Sequence, residues 1–393
     1  MDIAMPNDAL YIINTLESGG YEAYIVGGCV RDALLGKTPG DWDICTSALP
    51  EQTMEVFEGR HIIETGLQHG TVTLMLNRRP YEITTYRVDG KYKDNRRPER
   101  VKFVGVLKRD LARRDFTVNA MAYNPKTGLA DYYGGRQDLA DKIIKCVGNP
   151  DKRFGEDALR IMRAMRFAAA LGFKIDGGIS RAMLENKALL NNIAKERIAA
   201  ELNKLIVGDG AAEIILEHFA VISEVIPELT ELHDFSRAPK DIGVRLAVLF
   251  NGTDSETAVK ILRRLKYDNA TAATVKTLVL YRGADIQPES RNIKRWLNKI
   301  GEETLRKLLE VKRAGNTAQL DNITSVLNEV IEQNQCFSLK NLAVGGNDLI
   351  SIGITEGTKI GGILKRLLDI VIDEQIENEK TILLETAKKL LYK

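Results

Sequence analysis

Cysteine, histidine and tryptophan are scarce in this chain: four, four and two among 393 residues. The cysteines, Cys29, Cys45, Cys146 and Cys336, form no C-x-x-C pair, so neither a disulfide framework nor a zinc site is expected. The histidines, His61, His69, His218 and His233, are just as scattered. A phosphohydrolase-type metal site therefore lacks its ligands, and His233-Asp234 reads as a turn pair. A large excess of one charge is also missing. With a net charge of only +2, a polyanionic partner must meet a local basic surface. No window of about 18 apolar residues exists, which argues against a membrane span. The N-terminus has neither the charged start nor the apolar stretch of a signal peptide. A cytoplasmic protein with no membrane partner is expected, and no protein partner is implied.

Proline is spent unevenly. Seven of the ten lie at or before Pro150 and none follows Pro288. The proline-rich part alternates helical patterns with short strand patterns at Tyr24-Val26, Trp42-Cys45, Thr71-Leu76 and Tyr81-Arg87. From about Phe154 the pattern is helical, with apolar residues at three- and four-residue spacing. Examples are Glu156-Gly172, Lys195-Ile206, Ala258-Leu265, Arg291-Ile300, Glu303-Ala314, Thr358-Asp373 and Lys380-Leu391. A small α/β head and a long helical body follow from this.

Asp41-Trp42-Asp43 reads as β-type chain, where residues i and i+2 share a face. Two like charges so close repel unless a cation neutralises them, and Mg²⁺ with hard oxygen ligands is the natural one. A D-x-D run alone is weak evidence. Upstream, Gly27-Gly28-Cys29-Val30-Arg31 follows a strand and opens a helix. Glycines there let backbone N–H groups approach an anion, and Arg31 adds a cation. A triphosphate cradle ahead of paired metal carboxylates is a far more specific combination. Glu82, which shares a strand face with Thr84 opposite Ile83, is a candidate third carboxylate.

Asp157 and Arg160 form the second constellation. An aspartate only accepts hydrogen bonds and an arginine only donates them. Cytosine and adenine each present an amino donor beside a ring-nitrogen acceptor, so one Asp–Arg pair satisfies either base. Guanine and uracil present the reverse order and leave each group mispaired, at roughly 1–3 kcal/mol apiece. This chemistry selects CTP and ATP. A plain surface ion pair at i,i+3 explains the same two letters without function. Arg163 and Arg166 follow at i+3 steps, each turned by about 60° around the helix.

These runs resemble a known group. Gly-Gly-Cys-Val-Arg-Asp followed by Asp-Trp-Asp is similar to motif A of the polymerase-β-like nucleotidyltransferases. Arg113-Arg114-Asp115-Phe116-Thr117-Val118-Asn119-Ala120 resembles motif B, and Asp131-Tyr-Tyr-Gly-Gly-Arg-Gln-Asp-Leu139 motif C. Glu156-Asp157-Ala-Leu-Arg160 resembles motif D, and Glu196-Arg197-Ile-Ala-Ala-Glu201-Leu motif E. Together they resemble the bacterial class II CCA-adding enzymes of the tRNA nucleotidyltransferase/poly(A) polymerase family.

The resemblance implies an α+β fold, a polymerase-β-like head followed by an all-helical neck, body and tail. The expected boundaries are 1–150 for the head, 151–210 for the neck, 211–315 for a tRNA-binding body and 316–393 for a tail at the tRNA elbow. It implies addition of C, C and A to tRNA from CTP and ATP, with two Mg²⁺ ions on Asp41 and Asp43 and Glu82 beside them. Gly27, Gly28, Arg31, Arg114, Asp157, Arg160, Arg163 and Arg166 become the nucleotide-binding residues, and Asp157 with Arg160 the protein template for the base. Motif C reads as a structural hinge, in which Asp131 and Asp138 hold backbone. The polar run Arg87–Pro98 resembles the loop that switches the family from C to A addition. The basic stretch Arg291–Arg313 suits a tRNA backbone, or simply an amphipathic helix. A poly(A) polymerase and an A-adding enzyme share the head motifs, and a non-catalytic tRNA-binding module is the alternative outside the enzymes.

Overall fold

The computed structural model describes residues 2–90, 92–93, 97–98, 100–315 and 320–391, and the side chains of 65 and 91–99 are outside it. The chain divides into two compact units, Met1–Thr230 and Glu231–Lys393.

The first unit is built on a seven-stranded sheet. We number its strands β1 (Ala23–Val26), β2 (Ile44–Thr46), β3 (Ile62–Gly66), β4 (Thr71–Leu76), β5 (Arg79–Thr85), β6 (Met121–Asn124) and β7 (Gly128–Asp131). Their order is β7-β6-β1-β2-β5-β4-β3. Only β2 and β5 run parallel, with Ile44 beside Ile83 and Cys45 beside Thr84. The same offset sets Asp43 alongside Glu82. On β5 the residues alternate as the period of two requires: Tyr81, Ile83 and Thr85 are buried and Glu82 is exposed. One face packs Val26, Cys45, Tyr86 and Ala122 under Leu107 and Leu111 of the helix Leu107–Ala112.

The expected neck helix is broken. Helix Pro150–Glu156 ends at Asp157, whose backbone is extended (φ −136°, ψ 103°), and a new helix runs Leu159–Leu171. Asn149 caps the first of these through the Lys152 N–H, and Pro150 occupies its first turn. Helix Lys195–Ile206 packs along Leu159–Leu171, burying Ile198, Leu202 and Leu205.

All regular elements among the described residues of the second unit are helices, from Ile242–Leu249 to Lys380–Leu391. Its core includes Leu349, Leu367, Leu368 and Leu383. The basic stretch Arg291–Arg313 falls on two helices, Ser290–Ile300 and Glu302–Ala314. Most of its charge is used internally. Lys294 binds Glu374 at 2.8 Å and Arg295 binds Asp373 at 2.6 Å. Arg306 pairs with Glu302, Lys307 with Glu303, and Arg313 with Glu310. Lys312 donates to the Arg282 carbonyl. The amphipathic-helix alternative describes this stretch better than a free basic stripe. No helix among the described residues is long and apolar enough to cross a membrane.

Candidate active site

Asp41 and Asp43 stand just ahead of β2, not on it as the pattern suggested. The Asp43 carbonyl still accepts the Val26 N–H at 2.9 Å, so the ladder carries on past the formal strand. Both aspartates and Glu82 are exposed by surface area, yet protein crowds the Asp43 carboxyl. Burial first, then the Glu82 charge and lastly Asp41 push its pKa above the usual carboxylate value, while Arg114 pulls the other way. No group of three or more His, Cys, Asp or Glu side chains among the described residues is close enough to hold a metal as a closed cluster. The donor set nevertheless fits a hard divalent cation, because such an ion relieves the like-charge crowding felt by Asp43.

The cradle lies one strand away. Gly27 has φ +81°, and a Cβ there would meet Arg114 Nη1 at 2.9 Å. Glycine is thus required twice, for the left-handed backbone and for the approach of the guanidinium. A Cβ on Gly28 would reach Arg31 Nη2 at 3.6 Å. Helix Gly28–Leu34 starts here, and Arg31 is fixed by Asn119 at 2.6 Å and Asp32 at 2.9 Å. The motif B arginines divide their work. Arg113 grips the fully buried Asp110 with two bonds, at 2.8 and 3.0 Å. Arg114 touches Asp110 only at 3.5 Å and turns its tip toward Gly27. Its buried Nε has no hydrogen-bond partner.

Asp157, Arg160, Arg163 and Arg114 line one cavity of about 450 Å³ with Arg113, Asp115 and Arg197. Asp157 and Arg160 share this cavity without pairing as i,i+3 helix neighbours. Asp157 sits in the helix break, where one oxygen accepts the Leu159 N–H at 3.1 Å and the other meets Arg197 at 3.3 Å. Arg160 is buried and anchored by Glu156 at 2.8 Å and by the carbonyls of Arg153 and Arg113 at 3.2 and 3.0 Å. A buried guanidinium is tolerated only when it is held in this way. Arg163 makes two bonds to Asp115, at 2.6 and 2.8 Å. Burial raises the Asp115 carboxyl, but Arg163, the Phe116 N–H and Arg160 outweigh it and hold the pKa at about 2. Arg166 pairs with Glu201 at 2.8 Å and does not line the cavity.

Sequence reasoning missed Phe167. The guanidiniums of Arg31, Arg163 and Arg166 lie 5.2, 5.2 and 3.7 Å from its ring centre. The ring also meets Phe116 edge-on at 5.7 Å, which ties the motif B segment to the helix Leu159–Leu171. Its position four residues after Arg163 was the available signal. In motif C only Asp131 holds backbone as expected, accepting the N–H groups of Gly135 and Arg136, whereas Asp138 binds the side chains of Thr117 and Lys145. His233 faces Glu231, and Asp234 accepts from Ser236, as a turn pair would. The loop Arg87–Pro98 lies partly outside the described residues. Its base is a ladder between Arg87–Asp89 and Val101–Phe103.

Residues 23–145 match the family model of the poly A polymerase head domain. Residues 172–232 match the "Probable RNA and SrmB- binding site of polymerase A", and 242–387 match domain 2 of tRNA nucleotidyltransferases. A CCA-adding enzyme of Lactobacillus delbrueckii subsp. bulgaricus is 37% identical over 388 residues, covering 96% of each chain. The chain belongs to the family of CCA-adding enzymes. It is a nucleotidyltransferase, with the polymerase-β-like head and helical body of that family. Another family member, from a Geobacillus strain, is 37% identical over 95% of this chain and 94% of its own. The crystal structure of the Bacillus stearothermophilus CCA-adding enzyme in complex with CTP superposes with a TM-score of 0.82 at 31% identity, covering 99% of this chain and 100% of that one.

Proposed function

We propose that this protein adds C, C and A in turn to the 3′ end of tRNA, taking them from CTP and ATP, and chooses the bases with Asp157 and Arg160. The observation that carries this reading is the shared cavity of Asp157, Arg160, Arg163 and Arg114, the last of which also acts on the Asp43 carboxylate. The triphosphate rests against the Gly27-Gly28 backbone, Arg31 and Arg114. The base enters the cavity, where Asp157 accepts from the exocyclic amine and Arg160 donates to the ring nitrogen. Anchoring of Arg160 by Glu156 and two carbonyls fixes the plane in which it donates. A base of the wrong pattern then meets a rigid donor and a rigid acceptor, and cannot turn either to its advantage.

Asp41 and Asp43 would hold two Mg²⁺ ions, with Glu82 at one of them or just behind it. Bound there, the ions favour the ionised 3′-hydroxyl and offset the charge on the departing pyrophosphate. The family membership and the relatives' printed name support addition of CCA over poly(A) or A alone. The cytoplasm is the compartment this reading implies.

The test offers tRNA lacking its 3′ end, Mg²⁺ and one labelled triphosphate at a time. Three added nucleotides, C-C-A, are expected. Long A tails or single A addition would replace the reading by a poly(A) polymerase or an A-adding enzyme, and no incorporation by a non-catalytic binding module. In the same assay Asp157→Ala lowers the preference of CTP over UTP by roughly 10- to 100-fold, one or two mispaired groups' worth. Unchanged selection in that variant would remove Asp157 from base reading.

A further inference from the structure

We propose that Tyr132, Val106 and Lys108 form a platform on which the unpaired 3′ strand of the acceptor RNA stacks. The proposal rests on the functional reading above and names the surface that receives the growing strand. Tyr132 is 49% exposed and Val106 is 54% exposed, although both belong to a well-packed head. The Lys108 ammonium lies 5.7 Å from the Tyr132 ring centre. Lys108, Arg109 and Arg136 are all exposed, and none of them forms an ion pair with another described residue. An exposed ring among uncommitted cations fits a single nucleic-acid strand, since every base has a face to stack and every phosphate a charge to meet.

The ring is also held in place. Its neighbour Asp131 accepts the Gly135 and Arg136 N–H groups at 2.8 and 2.9 Å. Its other neighbour, Tyr133, donates its hydroxyl to the Lys108 carbonyl at 2.9 Å. Gly134 turns at φ +77°, and a Cβ on Gly135 would lie 2.3 Å from the Thr117 carbonyl oxygen. A loop tethered on both sides loses little freedom when a base settles on it.

Position completes the case. Asp131 pairs with Met121, the Met121 carbonyl accepts the Gly27 N–H, and the Val26 N–H binds the Asp43 carbonyl. Tyr132 therefore leaves the sheet at the same end of the strands as the carboxylates, three strands from β2. Ala130 and Tyr133 pack on the face that buries Cys45, Leu107 and Leu111. Asp43, two residues before Cys45, points to that same face. Lys108 lies about 6 Å along its helix from Ala112, and Arg113 and Arg114 follow directly. The pocket of Asp157 and Arg160 takes the incoming base, which leaves this platform for the strand already made.

The test compares wild type, Tyr132→Ala, Tyr132→Phe and Lys108→Glu on an acceptor RNA that ends in 2-aminopurine. Wild type and Tyr132→Phe should quench the terminal fluorophore on binding. Tyr132→Ala should not, and its KM for the RNA should rise roughly tenfold while its KM for CTP stays constant. Lys108→Glu should raise the RNA KM and flatten its salt dependence. Unchanged quenching and RNA KM in Tyr132→Ala would overturn the platform. Loss of self-association with an unchanged RNA KM would also overturn it, by assigning the patch to protein contact. Binding and quenching need no nucleotide incorporation, so failure of the platform is distinguishable from failure of the functional reading.

Discussion

The carboxylates at the sheet and those around the neck pocket treat charge in opposite ways. At the sheet the charges of Glu82 and Asp41 both bear on Asp43, and Arg114 alone opposes them in the field that Asp43 feels. In the neck pocket the carboxylates are matched. Asp115 has Arg163, Glu201 has Arg163 and Arg166, Glu156 has Arg153 and Arg160, and Asp157 has Arg197. An unbalanced cluster weakens the fold slightly and holds affinity for a cation in reserve. A balanced pocket has no such appetite, and on the proposed function it discriminates by hydrogen-bond direction. On that reading, chemistry and selection are separated by whether the carboxylates have partners.

Replacing Asp43 with Asn breaks the unbalanced end most severely. Incorporation should fall by roughly a thousandfold or more, several kcal/mol of transition-state stabilisation. Stability should move the other way. The folded pKa of Asp43 is raised, so its ionisation opposes folding, and stability is lost as pH rises through that value. At neutral pH without metal, the Asn variant should therefore melt above wild type. Mg²⁺ should raise the Tm of wild type more than that of the variant. Thermal melts with and without Mg²⁺ check this, and equal shifts in both proteins would place the ion elsewhere.

The balanced end predicts the opposite pH behaviour. Asp115 has a folded value of about 2, against an ordinary carboxylate near 3.9. Its contribution is fully present above about pH 4 and disappears as pH falls toward about 2. The difference amounts to roughly 2–3 kcal/mol. Urea unfolding of wild type and Asp115→Asn at pH 5 and pH 3 should show the gap between them narrowing on the acid side. A gap that stays constant would mean that the Asp115–Arg163 pair does not hold in solution.

Much of this was legible in the residues. Lys195–Ile206 and Lys380–Leu391 fold as helices with the bounds their periodicity implied. The alternation around Ile83 placed Glu82 on the open face. What was hidden depends on partners far along the chain. Arg163 finds Asp115 across 48 residues, and Arg160 reaches the Arg113 carbonyl across 47. The apolar rhythm runs unbroken through Asp157, and the only local signals of the break were Gly155 and the capping character of Asp157 itself, which accepts the Leu159 N–H. The charge count of Arg291–Arg313 could not show that Glu374 and Asp373 approach from 80 and 78 residues away.

Arg197 offers the smallest and most discriminating test of the contrast. It meets Asp157 at 3.3 Å, while its buried Nη1 in the same cavity has no hydrogen-bond partner. Two roles are open to it, steadying Asp157 or touching the base. The pair is a third exposed on the arginine side, so its loss is worth about 1 kcal/mol at most. If Arg197 only steadies Asp157, Arg197→Met should reduce CTP-over-UTP selection a few-fold, because the Leu159 N–H still holds the other oxygen. Arg197→Lys should restore most of that loss. Selection as poor as that of Asp157→Ala, with no rescue by lysine, would instead make Arg197 a direct reader of the base. Unchanged selection would show that a balanced charge at Asp157 is not what keeps the pocket selective.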